Sequence, residues 1–215
     1  MPTVKVKICG ITNWTDARRA VEAGAQFLGF NFYKPSPRYI TPAAARRIVR
    51  RLPKRITAVG VFVNEPEENM LAIARRVGLD YLQLHGDESP EAVSRLKRKL
   101  PVIKAIRVRD SFGPAQLASF SRAFALLLDG FDFRQYGGTG KTFNWKLARN
   151  SNRARRVFLA GGLTPENVAE AIHTAHPYAI DVCSGVEARP GRKDPERLDA
   201  LMREVELIRK EIADA

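Results

Sequence analysis

Eight times in succession a short apolar run is followed by a turn and then by a helix-start signal. No other feature narrows the possible folds so far. The runs cover residues 4–8, 27–32, 57–63, 81–84, 102–108, 123–128, 157–160 and 178–183, most of them rich in β-branched or aromatic side chains. Between them stand capping residues and prolines of the kind that open helices. Thr12, Asn13 or Thr15 caps a helix from Asp16 to about Ala23; Thr41-Pro42 opens one to Leu52; Asn64-Glu65-Pro66-Glu67 opens one to Val77. Ser89-Pro90-Glu91 opens a helix to Leu100, Pro114 one to Ser121, Asn144 a short one, Thr164-Pro165 the seventh, and Asp194 a closing helix to Ile212.

Strands alternating with helices imply a parallel sheet joined by right-handed crossovers. Eight such units without a linker close most naturally as a single-domain (β/α)8 barrel of the TIM type, residues 1–215. A doubly wound open sheet is the alternative, but the turn after the first strand lacks the GxGxxG that fold uses for dinucleotides.

Barrels of this kind carry their active sites at the C-terminal ends of the strands. Read in order, those ends offer Cys9, Arg38, Asn64, His85, Arg107, Asp129, Gly161-Gly162 and Ser184-Gly185. Cys9 can act as a nucleophile or, as a thiolate, a base; Asp129, after an apolar run, is a partly desolvated carboxyl suited to an acid. The two face each other across a barrel mouth. Arg38 suits a substrate carboxylate, which guanidinium binds through two hydrogen bonds. His85 shares strand parity with Gln83, so both are expected to point inward, where a packed core pair and a substrate-facing pair are equally served. Two glycine-bearing turns, Gly161-Gly162 and Ser184-Gly185, follow consecutive strands and resemble a phosphate cradle made of free N–H groups.

Parity also sets Lys5, Lys7 and Cys9 on one face of the first strand and Asp181 and Cys183 on one face of the eighth. Closure makes these strands neighbours, so Lys7 is expected to pair with Asp181, and Cys9 to lie beside Cys183. Two cysteines are too few for a disulfide framework or a metal cluster. Residues 137–142 mimic a P-loop, but Gln135 stands where the motif needs glycine; the stretch 130–142 reads as a lid instead.

Lys and Arg number 36 against 23 Asp and Glu, a net charge of +13, which invites a nucleic-acid partner. The excess is spread over Arg18-Arg19, Arg46-Arg47, Arg50-Arg51, Arg75-Arg76, Lys97-Arg98-Lys99 and 153–156, with no exposed aromatics interleaved for stacking. It is read as a solvated surface, with no nucleic-acid partner. Absence of an apolar span and of a signal-peptide core points to a cytoplasmic protein without membrane contact.

Lys7-Ile-Cys-Gly-Ile-Thr12, Ser36-Pro-Arg38, Gly60-Val-Phe-Val63, Leu82-Gln-Leu-His-Gly86, Leu128-Asp129, Gly137-Gly-Thr-Gly-Lys-Thr142, the 159–168 turn and the 181–194 segment together resemble the phosphoribosylanthranilate isomerase family of tryptophan biosynthesis. The resemblance implies a cofactor-free, metal-free Amadori rearrangement of a small phosphorylated substrate. Asp129 would be the general acid at the furanose ring oxygen and Cys9 the general base at C2. Arg38 would hold the anthranilate carboxylate, with His85 also at the substrate, and Gly161, Gly162, Ser184 and Gly185 would hold the phosphate. The working form would be a monomer or homodimer. Gly130, Asn144 and Cys183 depart from the family's usual Thr or Ser, Asp and Ser. A relative that also accepts the histidine-pathway aminoimidazole substrate would carry Asp where Cys9 stands.

Overall fold

The computed structural model describes residues 3–108, 113–130, 144–152 and 156–214. Eight parallel strands close into a barrel in chain order: β1 (Lys5–Ile8), β2 (Phe27–Asn31), β3 (Thr57–Phe62), β4 (Tyr81–Leu84), β5 (Val102–Val108), β6 (Ala125–Gly130), β7 (Val157–Leu159) and β8 (Ala179–Val182). The expected (β/α)8 architecture is the one observed. Helices α1 (Trp14–Glu22), α2 (Pro42–Val49), α3 (Glu67–Val77), α4 (Pro90–Leu96), α5 (Pro114–Ser119), α6 (Lys146–Asn152), α7 (Val168–Ala175) and α8 (Pro195–Asp214) alternate with the strands. The lid read over 130–142 falls, beyond Gly130, outside the described residues, as do 153–155 of the last basic run.

The caps explain the helix starts. Asn13 accepts from the Asp16 N–H at 3.0 Å, Thr41 from Ala44 at 3.2 Å and Ser89 from Ala92 at 3.3 Å, with Pro42 and Pro90 in the first helical turn. Several expected boundaries move. The helix opened by Ser89 ends at Leu96, because Lys99 N–H turns back to the Leu96 carbonyl and Pro101 stops further winding. Asp129 lies inside β6 rather than after it, paired in register with Arg107. Thr164 does not cap α7, which begins at Val168. The Asn167 side chain instead accepts from the Thr164 N–H at 2.8 Å and donates to the Gly162 carbonyl at 2.9 Å, so a turn precedes the helix. After β8 comes a single 3₁₀ turn, Ser184–Val186, and then an antiparallel ribbon of β9 (Glu187–Arg189) and β10 (Arg192–Lys193), where a direct run into the last helix was expected.

Alternation divides the buried side chains into two sets. Val6, Ile8, Leu28, Phe30, Leu82, Leu84, Leu126 and Leu128 face outward into the helix layer, while Phe27, Val59, Ile103, Leu127, Phe158 and Ala179 fill the barrel. Phe27 and Phe158 meet edge to face at 5.3 Å between centroids. The basic pairs at 18–19, 46–47, 50–51, 75–76 and 97–99 are all exposed, as the helical reading requires.

Above that apolar plug the interior turns polar. Lys7 and Asp181 are register partners on β1 and β8, and the Lys7 ammonium donates to both Asp181 oxygens at 2.8 and 2.9 Å. Lys7 is fully buried. Room for it comes from Gly29 on β2, where a Cβ would stand 3.0 Å from Lys7 Nζ and 2.7 Å from Cys9 Sγ. Removing one partner of a buried pair strands the other charge. Lys7→Met is therefore expected to lower unfolding free energy by about 3 kcal/mol in urea denaturation, and Lys7→Met with Asp181→Leu to restore most of it. Equal losses in the single and double variants would contradict the pairing account.

Candidate active site

Strand ends and following loops line a cleft that opens to solvent. Cys9, Arg38, His85, Asp129, Gly161, Gly162, Ser184 and Gly185 all line it, as do Gln83, Asp181 and Cys183. Asn64 and Arg107 do not. Asn64 sits with positive φ on the exposed rim, its side-chain oxygen accepting from Asp87 N–H at 2.7 Å, and Arg107 pairs with Asp87 there.

Cys9 continues β1, its N–H donating to the Val182 carbonyl at 2.9 Å, so the sheet hydrogen bonds fix the sulfur beside β8. Both Cys9 and Cys183 are free thiols. Hydrogen bonding with Cys183 holds the Cys9 thiol well below its ordinary range; Lys7 and Lys193 add to this and outweigh the opposing effect of burial. Cys183 is pushed well above the ordinary range by the same hydrogen bond and by burial. Burial would lower Lys7, but Asp181 and the Cys9 sulfur reverse that and raise it. Asp181 is pushed up to about 7, chiefly by burial and partly offset by Lys7. One buried cation thus faces two groups that compete for it.

Opposite Cys9, His85 Nε2 stands 3.2 Å from Asp129 Oδ2, close enough for a charge pair though not aligned as a hydrogen bond. Gln83 lies 3.1 Å from His85 Nδ1 through its amide nitrogen. With that amide donating, the neutral ring carries its proton on Nε2, toward Asp129. The expected Gln83–His85 pair is thus real and faces the cleft. Gln83 Oε1 is buried and has no hydrogen-bond partner among the described residues.

The two glycine turns are tied to one another. Gly161 and Gly162 have φ of 85° and 63°, a conformation that strains any residue with a side chain. Gly185 packs on the Leu163 carbonyl oxygen, and a Cβ there would collide with it. Arg197 at the start of α8 donates to the Gly185 carbonyl at 2.8 Å. Among the described residues, the N–H groups of Gly161, Gly162, Ser184 and Gly185 donate no recorded hydrogen bond. Such N–H groups favour an anion.

Arg38 already holds a carboxylate of the protein itself. Its Nε lies 3.0 Å from both Glu187 carboxylate oxygens and its Nη2 2.7 Å from Oε2. Glu187 and Lys193, both from the β9–β10 ribbon, went unread in the sequence. Pro190-Gly191 is the signal that marks such a hairpin.

A family model described as N-(5'phosphoribosyl)anthranilate (PRA) isomerase matches residues 6–204. The chain is 50% identical over 201 residues to the N-(5'-phosphoribosyl)anthranilate isomerase of Trichlorobacter lovleyi, covering 93% of this chain and 97% of that protein. It is 51% identical over 208 residues to that of Moorella thermoacetica, covering 96% and 90%. Among solved structures, the Thermotoga maritima phosphoribosyl anthranilate isomerase superposes with a TM-score of 0.89 at 42% identity, covering 95% of this chain and 99% of that one. Another, at TM-score 0.85, 41% identity and coverage of 95% and 99%, is a phosphoribosyl anthranilate isomerase in complex with reduced 1-(o-carboxyphenylamino)-1-deoxyribulose 5-phosphate.

The electrostatics at Cys9 make a direct expectation. At pH 6.5, well under the ordinary thiol value of about 8.5, Cys9 should be alkylated by iodoacetamide while Cys183 is spared. Lys7→Met should move the midpoint of Cys9 alkylation to higher pH, read by mass spectrometry across a pH series. Equal labelling of the two cysteines would contradict this.

Proposed function

The chain belongs to the N-(5'-phosphoribosyl)anthranilate isomerase family, and from that membership we propose how its residues divide the work. The protein is an isomerase of tryptophan biosynthesis that converts N-(5-phosphoribosyl)anthranilate to 1-(2-carboxyphenylamino)-1-deoxyribulose 5-phosphate. This Amadori rearrangement requires opening of the furanose and migration of a proton from C2, so an acid and a base must address two atoms of one sugar.

Asp129 is the general acid in this reading. It protonates the ring oxygen, the C1–O bond breaks, and the anilino nitrogen lone pair forms the Schiff base. His85, with its Nε2 at 3.2 Å, steadies the carboxyl that gives up the proton. Cys9 as thiolate then removes the C2 proton, leaving an enolamine that tautomerises to the ketone. The observation that carries the assignment is the joint presence of Cys9 and Asp129, from β1 and β6, in one cleft. Cys183 and Lys7 hold the Cys9 thiol below its ordinary range, which favours the thiolate form of the base. Both proton transfers are made by side chains, so the reading calls for neither metal nor organic cofactor.

Gly161, Gly162, Ser184 and Gly185 bind the 5-phosphate through backbone N–H groups, which fixes C1 and C2 under the two catalytic side chains. Arg38 takes the anthranilate carboxylate at the other end. The enzyme works in the cytoplasm in this reading, consistent with the finding that no helix among the described residues is long and apolar enough to cross a membrane. It works as a monomer or homodimer; one solved relative, from Thermotoga maritima, is a dimeric enzyme from which monomers were generated.

Asp129→Asn is expected to lower kcat by about 10²–10⁴-fold with KM nearly unchanged, because an acid acting at the ring oxygen is needed mainly in the transition state. Steady-state fluorescence of the anthranilate group measures both constants, and a near-normal kcat would remove Asp129 from the acid role. Gly185→Ala should weaken competitive inhibition by inorganic phosphate by about tenfold or more, since the β8 turn must shift away from Leu163. Unchanged phosphate inhibition would place the phosphate elsewhere.

A further inference from the structure

Arg38 lies in the loop between Asn31 and Pro42, where the backbone is held by a few contacts. Ser36 Oγ accepts from the Arg38 N–H at 3.2 Å and from the Asn31 amide at 3.1 Å, and Tyr39 bridges to Asn31. None of these contacts restrains the four side-chain torsions of the arginine. What restrains them is Glu187, 149 residues away on β9.

A guanidinium has two edges able to take a carboxylate in the fork geometry, one made of Nε and Nη2 and the other of Nη1 and Nη2. Glu187 occupies the first, with contacts at 3.0, 3.0 and 2.7 Å. Nη1 has no recorded hydrogen bond among the described residues, and Arg38 lines the cleft whereas Glu187 does not. We propose that Glu187 is a positioning residue, which grips Arg38 by its Nε/Nη2 edge and thereby aims the Nη1/Nη2 edge at one carboxylate on the substrate's aryl ring. The inference rests on the reading of Arg38 as the carboxylate-binding residue and deepens it into a source of substrate selectivity.

Charge supports the same conclusion. Glu187 Oε1 also accepts from Lys193 Nζ at 3.1 Å and from Gly191 N–H at 3.2 Å, so it cannot swing away without losing several partners. Lys193 Nζ donates in addition to the Cys183 carbonyl at 3.0 Å and is thereby tied to the β8 turn. Glu187 and Lys193 side chains are 3% and 2% exposed, Arg38 10%. Burial alone would favour a neutral Glu187, but Arg38 and Lys193 hold it ionised. Lys193 also faces the Cys9 sulfur, so the positive charge of this mostly dry knot that reaches the cleft is that of Arg38. One incoming carboxylate balances that charge. A neutral substituent at the same position leaves it unbalanced and desolvated.

The test compares N-(5-phosphoribosyl)anthranilate with its aniline analogue, which lacks the carboxylate, in the full-length enzyme and three variants. Glu187→Gln should raise KM for the carboxylated substrate by about tenfold, the effect of freeing one rotamer-rich side chain and misaiming its donors, with kcat within about threefold. It should leave kcat/KM for the aniline analogue unchanged, so that selectivity between the two falls. Glu187→Asp retains the charge that neutralises Arg38 and Lys193 but cannot span the same gap. It should show the same loss of selectivity, which separates aim from charge even if the Gln variant folds poorly. An equal drop for both substrates would mean a merely structural role and overturn the proposal. Unchanged selectivity in the Glu187 variants, with Arg38→Met raising KM, would overturn the positioning role while leaving Arg38 as the carboxylate site. Normal KM in Arg38→Met would overturn the Arg38 reading and the inference with it.

Discussion

A buried ion pair sits on the seam where this barrel closes, and the arrangement of the mouth follows from it. Lys7 and Asp181 are opposite each other in the β1–β8 register, at the level where the apolar plug ends. Two charges taken out of water are costly unless each finds its partner, so this register is far better satisfied than one slipped by a residue. Once it is fixed, the next inward positions are Cys9 and Cys183, and the β8 turn with Ser184 and Gly185 follows directly. Gly29 completes the constraint from the neighbouring strand, since any side chain there would occupy the space shared by the Lys7 ammonium and the Cys9 sulfur.

The same pair ties stability to chemistry. Lys7 serves as counter-ion to Asp181 and as the nearest fixed positive charge to Cys9. As pH rises through about 7, Asp181 ionises and its raised folded-state value costs stability that is fully present only below its ordinary carboxyl range. The Cys9 thiol, with its lowered value, follows the opposite sign: its contribution is present above the ordinary thiol range and is lost as pH falls. The surroundings that lower the Cys9 thiol thereby hold a carboxyl poorly suited to them.

Much of this was legible in the residues alone. Strand bounds 81–84 and 102–108 match β4 and β5, because short β-branched and apolar runs bounded by turn residues have few other readings. Parity alone brought Lys7 to Asp181 and Gln83 to His85. Of the ten strand-end residues read from the sequence, all but Asn64 and Arg107 line the cleft, since a barrel concentrates strand ends at one face. What was not legible shares a different physics. Glu187 reaches Arg38 across 149 positions, from a ribbon too short for any periodicity. The start of α7 differs because the Asn167 side chain ties the Thr164 N–H and the Gly162 carbonyl into a turn ahead of the helix. Local patterns report which face a residue shows, whereas these contacts depend on where distant loops come to rest.

The span between Lys7 and Asp181 has a kinetic side as well. The pair joins positions 174 apart, and the cleft draws Cys9 and Arg38 from the first units, Asp129 from the sixth and the glycine turns from the last two. No contiguous half of the chain holds both the sulfur and the carboxyl that face each other. Closing so long a loop is entropically slow compared with forming the local strand–helix units. A folding chain can therefore build most of its secondary structure, and bury much of its apolar surface, before any reaction centre exists. Activity belongs to the ring and to none of its arcs.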